Sequence, residues 1–361
     1  MASPCVAGVA ALVKSFFPDY SPEQVREKVR LTADDINGIN PSYAGQLGFG
    51  RVNAFRALTK STPAVRLTTL SIDDKTYGNG NDIYEQGERI LLTANFQNYL
   101  NDATNVAVSL STSLAYVKVV KGNLSIGELQ GSKTFDGSNN KFEIIVDNAT
   151  PSNSEVALTF TITADGFKDK YVRKIIINPT FSTTRTGRIS LSLGNTGNIV
   201  FNDYPDNIQG EGFVYNNDGR NLMYEGSLML GISKTQVEDA ARELINTKNK
   251  AFSAASSVVF NYSGVSDEDV ETSYSDINFP NRLGIEITQK SYAFKNYTDN
   301  GYIIVKYNLK NTSGKDIKGL YSGLFLDWDI GSGDIVRYDK DISLGYVHTT
   351  DKDTALKHYT G

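Results

Sequence analysis

The chain has 361 residues, enough for two or three domains. Its 36 basic and 41 acidic residues are interspersed and give a net charge of -5, so no basic stripe marks a nucleic-acid partner. Twenty Tyr, 17 Phe and 31 Gly with a single Cys point to a mainly β chain without an internal disulfide, and no run reaches the ~18 apolar residues of a membrane span.

The first sixty residues are helical in pattern. Val6, Val9, Ala10, Val13 and Phe17 recur at three and four, as on a buried helix, and Pro18 ends it. Ser21 is a good N-cap, Pro22 suits the first helical position and Gln24 completes a capping box, which predicts a second helix to about Leu31. The turn Gly48-Phe49-Gly50-Arg51-Val52-Asn53 precedes a short third helix, Ala54 to Leu58. Alanine-rich helices of this kind need other layers to cover them, and no βαβ pattern follows.

Three motifs in this segment carry a family resemblance. Met1-Ala2-Ser3-Pro4 followed by Val6-Ala7-Gly8 resembles the nucleophile helix of the subtilisin-like serine peptidases, whose signature reads Gly-Thr-Ser-Met-Ala-Ser-Pro. Ser21-Pro22-Glu23-Gln24-Val25 is similar to the start of that family's next helix, and Gly48 to Ala54 to its closing Gly-x-Gly-x-Val-Asn-Ala turn. The resemblance implies that residues 1–60 are the C-terminal remnant of an α/β peptidase domain, with the nucleophilic serine expected just before Met1. It places the aspartate, the histidine and the oxyanion-hole asparagine in an upstream catalytic segment, so the chain as written is expected to be inactive. It further implies secretion, or display at the cell surface, and protein or peptide substrates.

Cys5 departs from the family's commonest residue and is expected to be a buried helix residue. Without a parallel sheet beneath them, Val6, Val9 and Val13 lack partners, so residues 1–60 are expected to be the least stable part of the chain. The histidines, His348 and His358, are expected to be ordinary surface residues, far from any nucleophile elbow.

Ser61-Thr62-Pro63 reads as a linker, after which apolar residues alternate. Strands are expected at Val65 to Ile72, around Ile90 to Phe96, Val106 to Leu110, Tyr116 to Val120, Phe142 to Val146, Val156 to Ile162 and Tyr171 to Ile177. Residues 63–178 thus have the size of an immunoglobulin-like sandwich. Ahead of its second strand lies a loop rich in Asp, Asn and Gly, from Asp73 to Glu88. Two readings stand: the carboxylates of Asp73, Asp82 and Glu88 hold a calcium ion, or the Asn and Asp side chains cap their own turns. No other cofactor is called for.

Residues 179–361 read as a larger β-sandwich whose C-terminus carries no terminating pattern, which leaves truncation open. Ile303, Val305, Tyr307 and Leu309 alternate, Asn311 to Gly314 make a turn, and a long strand runs through Leu320 and Leu326. Val237 to Ile245 repeats at three and four, as a helix would. The stretch Asp327 to Asp334 suits a hairpin, ahead of a cation loop or a carbohydrate-facing Trp328, and Asp327 and Asp329 share one strand face rather than opposing each other across a cleft. The function expected is thus the C-terminal part of a subtilisin-like endopeptidase with accessory β-domains. A non-catalytic extracellular adhesion or binding protein is the alternative, followed by an unrelated hydrolase in the last sandwich.

Overall fold

The computed structural model describes residues 2–349 apart from 202, 204, 205, 217, 242–249, 262, 263 and 332. It is mainly β, with a short helical segment at the N-terminal end. The chain divides into two compact units, Met1–Ile177 and Asn178–Gly361.

In the first unit, α1 (Ala2–Phe16), α2 (Pro22–Leu31) and α3 (Ala54–Thr59) form where the punctuation predicts. The capping box of α2 is complete. The Gln24 amide donates to Ser21 Oγ at 3.3 Å, and the Ser21 amide donates to Gln24 Oε1 at 2.8 Å, satisfying two of the donors that a helix start leaves orphaned. Val13, Val25, Val29 and Ala57 form a small core among the helices, flanked by Val9, Ala10 and Phe17. One side of α1 has no such cover: Leu12 and Phe16, one turn apart, are 51% and 62% exposed, and Val6 is exposed as well. Cys5 is also exposed rather than buried. It lies seven residues before Leu12, two turns along the same stripe, while α2 and α3 occupy the face of Val13.

Two sheets follow. One contains β1 (Val65–Asp73), β2 (Arg89–Asn98), β4 (Val117–Lys121), β6 (Thr134–Phe135) and β7 (Phe142–Val146); the other contains β3 (Ala103–Thr112), β5 (Asn123–Leu129), β8 (Ser154–Ala164) and β9 (Phe167–Ile177). Every pairing is antiparallel. Burial alternates strictly along β2 and through the middle of β8, as expected of strands with one covered face. Ile90, Leu92, Phe96, Phe142 and Ile144 of one sheet share a core with Val108, Leu110, Leu158, Phe160 and Ile162 of the other. Phe142 and Phe160 meet edge to face at 5.3 Å. A bulge in β1 at Thr68 shifts the inward parity from Val65 and Leu67 to Leu70 and Ile72.

The stretch read as a linker is tightly held. Thr62, Ala64 and Val65 are buried, and the buried Asn98 side chain takes the Ala64 amide at 2.9 Å and donates to the Asn101 and Leu129 carbonyls. On the far side of this junction, Glu27 of α2 is fully buried. Its Oε1 accepts from Arg66 of β1 at 2.9 Å and its Oε2 from Arg30 Nε at 2.9 Å, while Arg30 also reaches Asp169 of β9 at 2.7 Å. Gln24 adds a bond to the Tyr99 carbonyl at 2.9 Å. Salt bridges thus tie the helical segment to both sheets, so its isolation is less complete than its apolar pattern suggests.

The second unit is also built on two main sheets. One is seven-stranded, with Met223–Ser233 at its heart, paired along Tyr321–Trp328; the other is five-stranded, with Ile285–Ala293 between Glu268–Ser275 and Ile303–Asn311. Leu228 and Leu230 of the first pack with Tyr274, Ile285 and Ile287 of the second. A two-stranded hairpin joins Asp334–Asp339 to Leu344–Thr349. The helix expected from Val237 is not found at its start, where Gln236–Glu238 is a strand paired with Met223–Ser233; residues 242–245 lie outside the described residues.

Within this unit Glu238 and Asp276 are both buried, and Glu238 Oε2 meets no hydrogen-bond partner among the described residues. Glu238 Oε1 accepts the Leu283 amide at 2.7 Å, and Asp276 accepts those of Gly284 and Ile285 at 2.5 and 3.0 Å. Burial, with Asp276 beside it, pushes the Glu238 pKa up to about 7.

Candidate functional site

The peptidase-like motifs sit on the three helices and the turn that joins them. Ser3 and Pro4 lie in the first turn of α1, where proline costs no helix hydrogen bond; Met1 lies outside the described residues. In the turn Gly48 to Asn53, Gly50, Arg51 and Asn53 each have a structural role. Gly50 has a φ of +103°, and a β-carbon there would stand 1.9 Å from the Asp34 carbonyl oxygen, so only glycine fits. The Asp34 and Arg51 main chains pair across this contact at 2.8 and 2.9 Å. Asp34's carboxylate then gathers Arg51 at 3.1 Å, Asn53 at 3.0 and 3.1 Å and Arg56 at 3.0 Å. These bonds, that from Arg51 foremost, hold its pKa below the usual carboxylate value. Asn53 Oδ1 caps α3 by accepting the Arg56 amide at 2.9 Å. The motif therefore closes and anchors a helix, and contributes no reacting group.

The loop between β1 and β2 separates the residues read as cation ligands. Asp73 bonds its own turn, taking the amides of Lys75 and Thr76 at 2.8 and 3.2 Å and the Thr76 hydroxyl at 2.8 Å. Asp82 points outward, 3.5 Å from Lys75. Glu88 turns inward, accepting the Glu85 amide at 2.9 Å and the Asn79 amide at 3.2 Å, and burial raises its pKa. Asp74, at the opening of the loop but not among the three expected ligands, is buried, and its Oδ2 accepts the Asp82 amide at 2.9 Å. Among the described residues no three acidic, His or Cys side chains gather as a metal cage.

The remaining candidates are structural. His348 stands on the strand Leu344–Thr349 with its ring 6.2 Å from that of Tyr346, and His358 lies outside the described residues. Trp328 meets Phe213 edge to face at 5.1 Å and packs on a core cluster, which does not suit a sugar platform. Asp334 Oδ2 accepts the Ile330 amide at 3.0 Å. No described helix is long and apolar enough to cross a membrane.

Comparison with known proteins bears on one end of the chain. Residues 1–80 match the model of the subtilase family. A subtilisin-like protease of Arabidopsis thaliana is 45% identical over 58 residues, which is 16% of this chain and 8% of that protease. A thermostable alkaline protease of Halalkalibacterium halodurans is 47% identical over 57 residues, again 16% of this chain and 14% of the protease. The chain therefore spans only a small part of the length of these curated relatives. Among solved structures, an α2-macroglobulin segment from Escherichia coli overlays 47% of this chain and 23% of its own at 15% identity, with a TM-score of 0.24, too low to bear on fold or function. Over residues 1–80, then, the chain is similar to a segment of the subtilase family.

Proposed function

We propose that residues 1–60 complete the catalytic domain of a secreted subtilisin-like serine endopeptidase. The β-regions, the first of them immunoglobulin-like, serve as accessory domains that position the enzyme or bind a surface or substrate. The observation that carries this reading is the bare apolar side of α1. Leu12 and Phe16 are exposed on a helix whose other face is well packed, which suits a helix that packs on a further layer. That layer is the parallel sheet of the peptidase domain, and with it come the aspartate, the histidine and the serine of the triad. A free-standing binding protein would gain nothing from exposing this stripe.

Nucleophile, base, orienting carboxylate and oxyanion hole act as a unit, and neither a helix N-terminus nor an accessory sandwich replaces them. This chain is accordingly expected to show no labelling by a fluorophosphonate probe and no cleavage of a fluorogenic peptide. A chain extended upstream through the three triad residues should do both. Labelling of the short chain, or an extended chain that is folded and processed yet unlabelled, overturns the reading.

A further inference from the structure

We propose that a cleft at one end of the second unit binds acidic peptide segments, a site independent of the peptidase reading. It is walled by residues 276–284, residues 312–318 and the tight turn that joins Met223–Ser233 to Gln236–Glu238. Its volume is about 570 Å³, room for the side chains of a few residues. These walls are tied to one another without a ligand. Thr312 donates its amide at 2.7 Å and its hydroxyl at 3.0 Å to the Gly284 carbonyl, and Gln236 Nε2 donates to the Asn281 carbonyl at 3.1 Å. Buried Asp276 clamps the Gly284 and Ile285 amides from below. A cleft with fixed walls spends little of its binding energy on ordering them.

The charges around the cleft are unbalanced. Arg282, Lys315 and Lys318 line it, and none of the three has an ion pair among the described residues. Arg282 gives one N–H to the Ile277 carbonyl at 2.8 Å, which ties the guanidinium to its own turn and leaves its other donors free. Of the acidic groups, Asp276 already accepts two main-chain amides, Glu286 has Lys310 at 3.4 Å, and Glu238 is fully buried under the Leu283 amide. Among the described lining residues only the exposed Asp316 is left against three cations, so an anion is the complement. The walls decide its class. Ile232, Ile277, Leu283 and Ile317 supply aliphatic surface, with Ile277 62% exposed, and no aromatic ring lines the cleft. Sugar rings favour flat aromatic faces, whereas an aliphatic side chain flanked by carboxylates suits a wall of Ile and Leu beneath a cationic rim.

The test is fluorescence anisotropy of the full chain with a labelled Glu-Glu-Ile-Glu-Glu peptide, beside Lys-Lys-Ile-Lys-Lys and Glu-Glu-Gly-Glu-Glu, with inorganic phosphate and polygalacturonate as competitors. The acidic peptide should bind saturably, and about tenfold more weakly when salt rises from ~50 mM to ~500 mM. Phosphate and polygalacturonate should not displace it. Lys315→Glu together with Lys318→Glu should weaken it by about tenfold or more; both side chains are exposed, so the melting temperature should not move. Ile277→Ser and the glycine-centred peptide should each cost about fivefold, and less than the product when combined. Lys306→Glu, exposed and outside the cleft, should change nothing. Absence of saturable binding overturns the proposal, as does equal binding of the basic peptide or displacement by phosphate or polygalacturonate. So does binding that survives the two lysine reversals in a folded chain, or that falls equally in Lys306→Glu.

Discussion

Replacing Glu27 with Ala should destabilise the first unit by about 3 kcal/mol. The carboxylate is fully buried and holds Arg30 and Arg66 at 2.9 Å. Removing it takes the carboxylate from Arg26, Arg30 and Arg66 together, and Arg30 keeps Asp169 and its stacking on the Phe49 ring. The cost is set towards the lower end of the range for breaking a buried pair, because all three arginine side chains keep some access to water. The loss should appear as a lower urea midpoint with an unchanged slope. Hydrogen exchange should show protection falling further in α2 than in β8 on going from the parent chain to the variant. A midpoint unmoved by the substitution would mean that the ion network adds nothing to the packing of helices on sheets.

The second large effect concerns pH. Glu238 has a folded pKa of about 7 against an ordinary carboxyl value of 4.5, so between these values the folded state holds a proton that the unfolded chain has released. Stability from this group is fully present below about pH 4.5 and falls as pH rises towards 7, by at most ~1.4 kcal/mol per unit. Above 7 it is flat. Over the interval from 4.5 to about 7 the whole span amounts to roughly 3 kcal/mol. Glu238→Gln keeps an acceptor for the Leu283 amide but cannot titrate, and should remove the slope. Urea unfolding of both proteins between pH 4.5 and 8 measures the difference, in which the other carboxylates cancel. Parallel pH profiles for parent and variant would show that Glu238 titrates as it does in the unfolded chain.

Much of this architecture was legible in the sequence because its signals are local. Pro18, the Ser21–Gln24 box and Asn53 set the helix limits, and the alternation of Ile90 to Phe96 set a strand and its inward face. The strand Asn123–Leu129 escaped notice because Gly127 takes a φ of +80° opposite a double irregularity in β3, which breaks its alternation. The candidate loop shows the same limit more sharply. Counting in twos along β1 from Val65 and Leu67 puts Asp73 on the inward side, but the bulge at Thr68 moves the parity by one, and Asp74 is the residue that goes under. A bulge depends on the neighbouring strand, which no local pattern records. Glu27 was equally invisible, since its partners Arg66 and, through Arg30, Asp169 are far along the chain.

The exposed stripe of α1 has a chemical consequence as well. Cys5 is the chain's single cysteine and lies on that stripe, so its thiol reports whether the stripe is covered. In the chain alone, where it is exposed, it should label readily with a maleimide. In the upstream-extended chain the same sulfur should be slow to label. Its labelling rate thus measures docking of the helix directly, in samples where the peptidase itself is blocked or inactive; equal rates in the two chains would place Cys5 outside the covered face.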